Sequence, residues 1–131
     1  MNTKLNQILA EISAGELLDK ITILEIKKEK INDSEKLKDI NKELSSLVKT
    51  SNEKIPDKKS IEDLVSNLKK INLKLWDIEE NKRRAEKEKK FDETFIQLSR
   101  DVYKSNDERA KIKLKINEIL GSNIKEVKSH F

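Results

Sequence analysis

The residues of this chain best suited to chemistry are polar ones on helix faces that ought to be buried. Counting 100° per residue, Phe91, Phe95, Leu98, Val102, Ile116 and Leu120 share one stripe, and Asn106, Arg109, Lys113 and Asn117 lie in or beside it. The preceding segment does the same: Ile61, Leu64, Leu68 and Leu75 define a face that goes on to present Glu79, Lys82, Arg83 and Glu86. If the chain reverses near Phe91, residues whose numbers sum to about 182 stand opposite one another in an antiparallel hairpin. Glu79 then faces Tyr103, and Trp76 faces Asn106, with Arg109 and Lys113 one turn along. The only Trp and the only Tyr thus fall beside a carboxylate, an amide and two cations. Leaving such groups buried and unpaired would cost ~1–3 kcal/mol each, so they must pair with one another, stay wet or hold something.

Two chemistries fit that pattern. In a structural network Glu79 pairs with Arg109, and Asn106 sets the helix register. In a ligand site Arg109 and Lys113 clamp an anion, Trp76 and Tyr103 offer stacking surface, Glu79 is a base or orienting group, and Asn106 and Asn117 complete the polar set. A second cluster, Glu16, Asp19 and Lys20, sits near the start of the chain; the Glu16→Lys20 spacing of four also suits simple surface support. No catalytic residue is assigned.

Positioning these side chains falls to helices. Ser13-Ala14-Gly15-Glu16 is a capping-box pattern that should open a first helix from about Ala14 to Ile31. Its main face is Leu17, Leu18, Ile21, Leu24 and Ile31, but Ile23 and Ile26 point the other way. A helix apolar on two sides is either central in a bundle or half of an oligomer contact. Asn32-Asp33-Ser34 breaks it, and a second helix runs from about Glu35 to Lys49. Residues 50–60, with the only Pro at 56, read as an exposed connection, with Asp57 or Ser60 as the next cap. Helices over about 61–89 and 92–120 form a hairpin roughly 40 Å long, with Asp92 capping the second and Gly121 ending it. The expected fold is therefore all-α, an antiparallel bundle of about four helices dominated by this hairpin. Residues 7–12 could be a short extended segment or a helical turn. Residues 1–121 make one domain and 122–131 a tail.

Composition removes several function classes. With no Cys and one His in 131 residues there is no disulfide scaffold, thiolate metal site or His-based triad, and no cofactor or metal is expected. Two Gly exclude a glycine loop around phosphate. A carboxylate-bridged di-metal bundle would need a Glu-x-x-His spacing that is absent. No apolar run approaches a membrane span or a signal peptide, so a cytoplasmic protein with no membrane contact is expected. The net charge of +4 comes from 25 Lys and 4 Arg interleaved with 25 acidic residues. That pattern lacks the Arg-rich stripe of a nucleic-acid reader, so nucleic acid is not favoured and only weak, salt-sensitive attraction to polyanions follows.

The stretch Ser13-Ala14-Gly15-Glu16-Leu17-Leu18-Asp19-Lys20-Ile21-Thr22-Ile23-Leu24-Glu25-Ile26-Lys27 resembles the signature of a family of small bacterial proteins known only as a domain of unknown function. Leu75-Trp76-Asp77-Ile78-Glu79, residues 102–110 (Val102 to Ala110) and residues 116–122 (Ile116 to Ser122) resemble its later blocks. The resemblance spans nearly the whole chain and takes in Trp76, Glu79, Tyr103, Asn106, Arg109 and Asn117, together with Glu16, Asp19 and Lys20. It implies a cytoplasmic bacterial or phage-type protein and brings no activity with it. Three functions stay open: self-association or binding of a protein partner, binding of or action on a small anionic metabolite, and weak polyanion binding.

Overall fold

Side-chain caps set three of the four helix starts. The computed structural model describes residues 4–128, which form α1 (Ala14–Lys30), α2 (Ser34–Lys54), α3 (Glu62–Glu88) and α4 (Glu93–Leu120), with a 3-10 turn, Lys59–Ile61, ahead of α3. The Ser13 hydroxyl accepts from the Glu16 N–H at 3.0 Å, Asp33 accepts from Glu35 and Lys36, and Asp92 accepts from Phe95. Each uses a side-chain oxygen to satisfy an N–H that the first turn leaves without a partner. The expected hairpin helices match α3 and α4 to within a residue.

Three expectations change. α2 does not stop near Lys49 but runs on to Lys54. Nothing in residues 50–54 forbids a helix, and the break comes only where Pro56 disfavours helical backbone at Ile55. The supposed exposed connection also contributes to the interior, because Ser51 and Ile55 are buried. Neither Asp57 nor Ser60 caps α3: Asp57 accepts from Lys59 at the 3-10 turn, and α3 starts after Ile61 with no side-chain cap. Residues 7–12 are neither strand nor helix, and among the described residues there is no strand for them to pair with.

α1 is the central element. It packs against α2 on one side and lies along both α3 and α4 on the other, whereas α2 packs on α1 alone. Both apolar sides of α1 are therefore covered by the same chain. Leu17, Leu18 and Leu24 are buried, and so is Ile26, while Ile23 stays half-buried at an edge. The main core joins Leu17 and Leu18 to Ile55, Ile61, Leu68 and Ile116, so it gathers where α1 begins and the hairpin is open. At the closed end Phe91 and Phe95 meet edge to face at 5.3 Å, with Phe91 half exposed.

The hairpin reverses through a residue with reversed backbone hand. Lys89 has φ 58° and ends α3, the Lys90 N–H bonding back to the Ala85 carbonyl at 2.9 Å. A Cβ is disfavoured in that conformation, which glycine adopts freely. Lys89→Gly is therefore expected to raise stability by roughly 0.5–1 kcal/mol, seen as a rise of a few degrees in Tm. A lower Tm would mean that the lysine side chain supplies a compensating contact.

Candidate functional site

The site is built on one carboxylate. Asp19 follows Leu18 on the buried side of α1 and has no solvent exposure. Arg109 of α4 grips it with a guanidinium fork, Nε at 3.0 Å from Oδ1 and Nη2 on Oδ2. The Asn72 amide of α3 donates to Oδ1 at 2.8 Å and to the Thr22 hydroxyl at 2.9 Å, while Thr22 donates to the Asp19 carbonyl at 2.8 Å. A buried carboxylate is tolerable only with such a bidentate partner and additional donors. One side chain thus ties three helices together.

One turn back on α1 the pattern repeats. Lys113 holds Glu16, lies 3.1 Å from Glu126 and 3.9 Å from Asp19. Glu126 also accepts from the Ser13 hydroxyl, so the cap residue of α1 is itself held by the segment after α4. Glu16 does not close the capping box by reaching back to Ser13; it turns to Lys113, with Lys20 at 3.8 Å. Asn117, wholly buried, accepts from the Gly15 N–H at 2.6 Å and donates to the Lys125 carbonyl at 3.1 Å. Ser122 accepts from the Ala14 N–H. Residues 122–126 are thus fastened to the start of α1 rather than trailing from α4, and residues 129–131 of the expected tail lie outside the described residues. α1 and α4 touch closely at Gly15, where an added Cβ would lie 2.6 Å from the Lys113 carbonyl oxygen.

The charges in this network satisfy one another. Arg109 is held more firmly protonated by its hydrogen bond to Asp19, against the opposing effect of burial. Burial acts most strongly on Lys113 and would lower its pKa, but the hydrogen bonds it donates to Glu16 and Glu126, with the nearby carboxylate charges, outweigh it and the pKa rises. Glu126 mirrors this: burial pushes its pKa up, yet the Ser13 and Lys113 hydrogen bonds win and hold it below the usual carboxylate range. Three carboxylates meet Arg109, Lys113 and the outlying Lys20, so no cationic surplus is left.

Beside the network, further along α1, lies an open-sided groove of about 490 Å³. Ile23, Ile26, Leu75, Trp76 and Val102 make its apolar walls, and Glu79, Asn106 and Arg109 bring polar groups to it. Asn106 accepts a long, 3.5 Å hydrogen bond from Arg109 Nη1. The two sequence clusters therefore meet, Glu16 and Asp19 joining Arg109 and Lys113. The Glu79–Arg109 pair does not form, because α1 offers Arg109 a deeper carboxylate in Asp19. Trp76 and Glu79 line the groove, whereas Tyr103, 54% exposed and one residue past the groove-facing Val102, looks outward. Lys113 and Asn117 hold α1 and the 122–126 segment and do not line the groove. Among the described residues no group of three or more His, Cys, Asp or Glu is placed to hold a metal.

Sequence reasoning had no role for Gly15, Thr22, Asn72, Ser122 or Glu126. The available signal was Gly15 in the first turn of a helix, where alanine would favour the helix more.

With this geometry in hand, residues 8–130 match the model of a family described as one of unknown function (DUF6165). The chain belongs to that family. No curated protein and no solved structure matches it. The matched span takes in every residue of the Asp19 network and of the groove beside it.

Two predictions follow the network. Arg109→Ala leaves the Asp19 charge buried without its main partner and should cost ~3–5 kcal/mol, a fall of roughly 10–20 °C in Tm. Arg109→Lys, which keeps the charge and loses the fork, should fall between the two. An alanine variant within ~1 kcal/mol of wild type in chemical denaturation would contradict the assignment. The second concerns pH. A carboxyl held low when folded adds stability above its ordinary pKa and loses it as pH falls through the lowered one. Wild type should thus be more stable than Glu126→Gln at pH 7, and the gap should close between about pH 5 and 3. Melts at pH 7, 5, 4 and 3 that keep a constant gap would disprove it.

Proposed function

We propose that this chain acts by binding a protein partner, and that the groove walled by Ile23, Leu75, Trp76 and Val102 is where the partner seats. The observation that supports this reading is that the cations beside the groove are already neutralised. Arg109 and Lys113, which an anionic metabolite would need, are engaged by Asp19, Glu16 and Glu126. At the groove itself, with Arg109 neutralised by Asp19, Glu79 and Glu80 outnumber Arg83, so the local field favours a neutral or basic visitor over an anion.

A partner offering an aliphatic or aromatic side chain with a neighbouring Lys or Arg matches both properties of the groove. The apolar walls take the side chain out of water, and the polar edge fixes its orientation.

The reading is tested by capture of cell proteins on immobilised wild type, Ile23→Asp and Glu79→Lys, together with melts of all three. Both positions are half-buried, so each variant should lose no more than roughly 1–3 kcal/mol and still melt cooperatively with unchanged helical circular dichroism. A protein retained by wild type should be lost from both variants. Equal retention on all three, or a Tm rise of several degrees with a phosphorylated or carboxylated metabolite, would overturn it, the latter in favour of a small anionic ligand.

A further inference from the structure

The segment before α1 carries the largest unexplained apolar exposure in the described chain. Leu5, Ile8 and Leu9 are 81%, 80% and 86% exposed, and Ile12 is 40% exposed. Among the described residues no backbone hydrogen bond involves residues 4–12, so both their side chains and their peptide groups are open. Only its base is fixed, by the Glu11 carboxylate accepting from the Asn123 amide at 2.7 Å. Proteins rarely leave four large aliphatics in nine residues in water without a surface to cover them.

A receiving surface lies at the root of this arm. A second cavity, of about 540 Å³, opens where α1 begins, with Ile12, Leu17, Ile55, Pro56 and Leu120 on its walls and Lys54 and Asp57 at its edge. The arm carries one charge of each sign, Lys4 and Glu11, as does the edge. The arm cannot readily fold back into its own cavity. Residues 10–12 already stand at the rim, Glu11 is tied down, and no Gly, Pro, Asn or Asp lies between Gln7 and Ser13 to make the tight reversal required. Nine extended residues reach ~30 Å, enough to cross to a neighbouring molecule.

We infer that two copies of this chain exchange these arms, the aliphatics at Leu5, Ile8 and Leu9 of each filling the cavity beside Ile55 and Leu120 of the other. Because arm and cavity adjoin on the same chain, a two-fold axis satisfies both arms at once and leaves no open end. The three aliphatics remove roughly 400 Å² per arm, about 800 Å² for the pair, and the cavity walls they cover bring the total past the ~1,000 Å² a specific interface needs. This surface is separate from the Trp76 groove and stands or falls independently of it.

The test combines mass in solution with a cross-link. Light scattering of the full chain from ~1 to 100 µM should give a dimer, and Leu9→Asp should weaken dimerisation ~100-fold or more. Leu9 makes no packing contact to lose, so the variant's helical circular dichroism should stay unchanged. The chain has no cysteine, so Ile8→Cys protein can be mixed with Lys54→Cys protein under mild oxidation. A disulfide joining the two different variants, at a yield reduced by Leu9→Asp, is the expected result. Wild type that stays a monomer at 100 µM, a dimer that survives Leu9→Asp, or no mixed disulfide would each overturn the exchange. An intrachain disulfide in the Ile8→Cys, Lys54→Cys double variant at high dilution would show the arm closing on its own cavity instead.

Discussion

The buried charge of Asp19 is the constraint on which the rest of this structure depends. A carboxylate with no access to water holds its place only if cationic and amide donors reach it from fixed directions. Arg109 comes from α4 and Asn72 from α3, so α1 is held at a set height and rotation against the hairpin. Apolar packing alone would tolerate a slip of one turn along a stripe of Ile and Leu, because those side chains resemble one another in size. The fork of Arg109 does not tolerate it. The close approach at Gly15 adds a second positional lock, since α4 can lie near α1 only where no side chain intervenes.

The two halves of the molecule around α1 are correspondingly different. At its start, Ser13, Glu126, Asn117 and Ser122 bind the α1 cap to the end of α4. Toward its end polar ties give way to the apolar walls of the Trp76 groove. The rigid network thus serves as a foundation for a surface that remains open, and the same helix that is pinned at Asp19 presents Ile23 one turn later.

Much of this arrangement is legible in the sequence, because helix signals are local. The capping oxygens of Ser13 and Asp92, the break at residues 32–34 and the periodic Leu and Ile mark four helices, and the odd placement of Asn106, Arg109, Lys113 and Asn117 marks a polar zone. Facing apolar sides on α1 anticipate its central position. The partner of Arg109 is not legible, since the hairpin pairs α3 with α4 and leaves open that α1 lies along both of them. Residues 50–54 are misjudged because Ser, Thr and Asn look like loop residues, although only Pro56 forces the helix to end. The role of Glu126 is hidden for the same reason as that of Asp19: each acts through a contact made by tertiary packing.

The ninety residues that separate Asp19 from Arg109 also set an order of events. As the chain leaves a ribosome, α1 emerges ahead of α4, so the carboxylate that organises the bundle has no Arg109 to meet until ninety further residues have been made. Until then Asp19 is better left hydrated, because burying it unpaired is costly. Committing Asp19 to the interior must wait for Arg109, and closing a loop over that distance costs entropy before the contact repays it. The native fold is therefore completed late and nearly all at once. Premature burial of α1 is penalised by the very charge that later secures it.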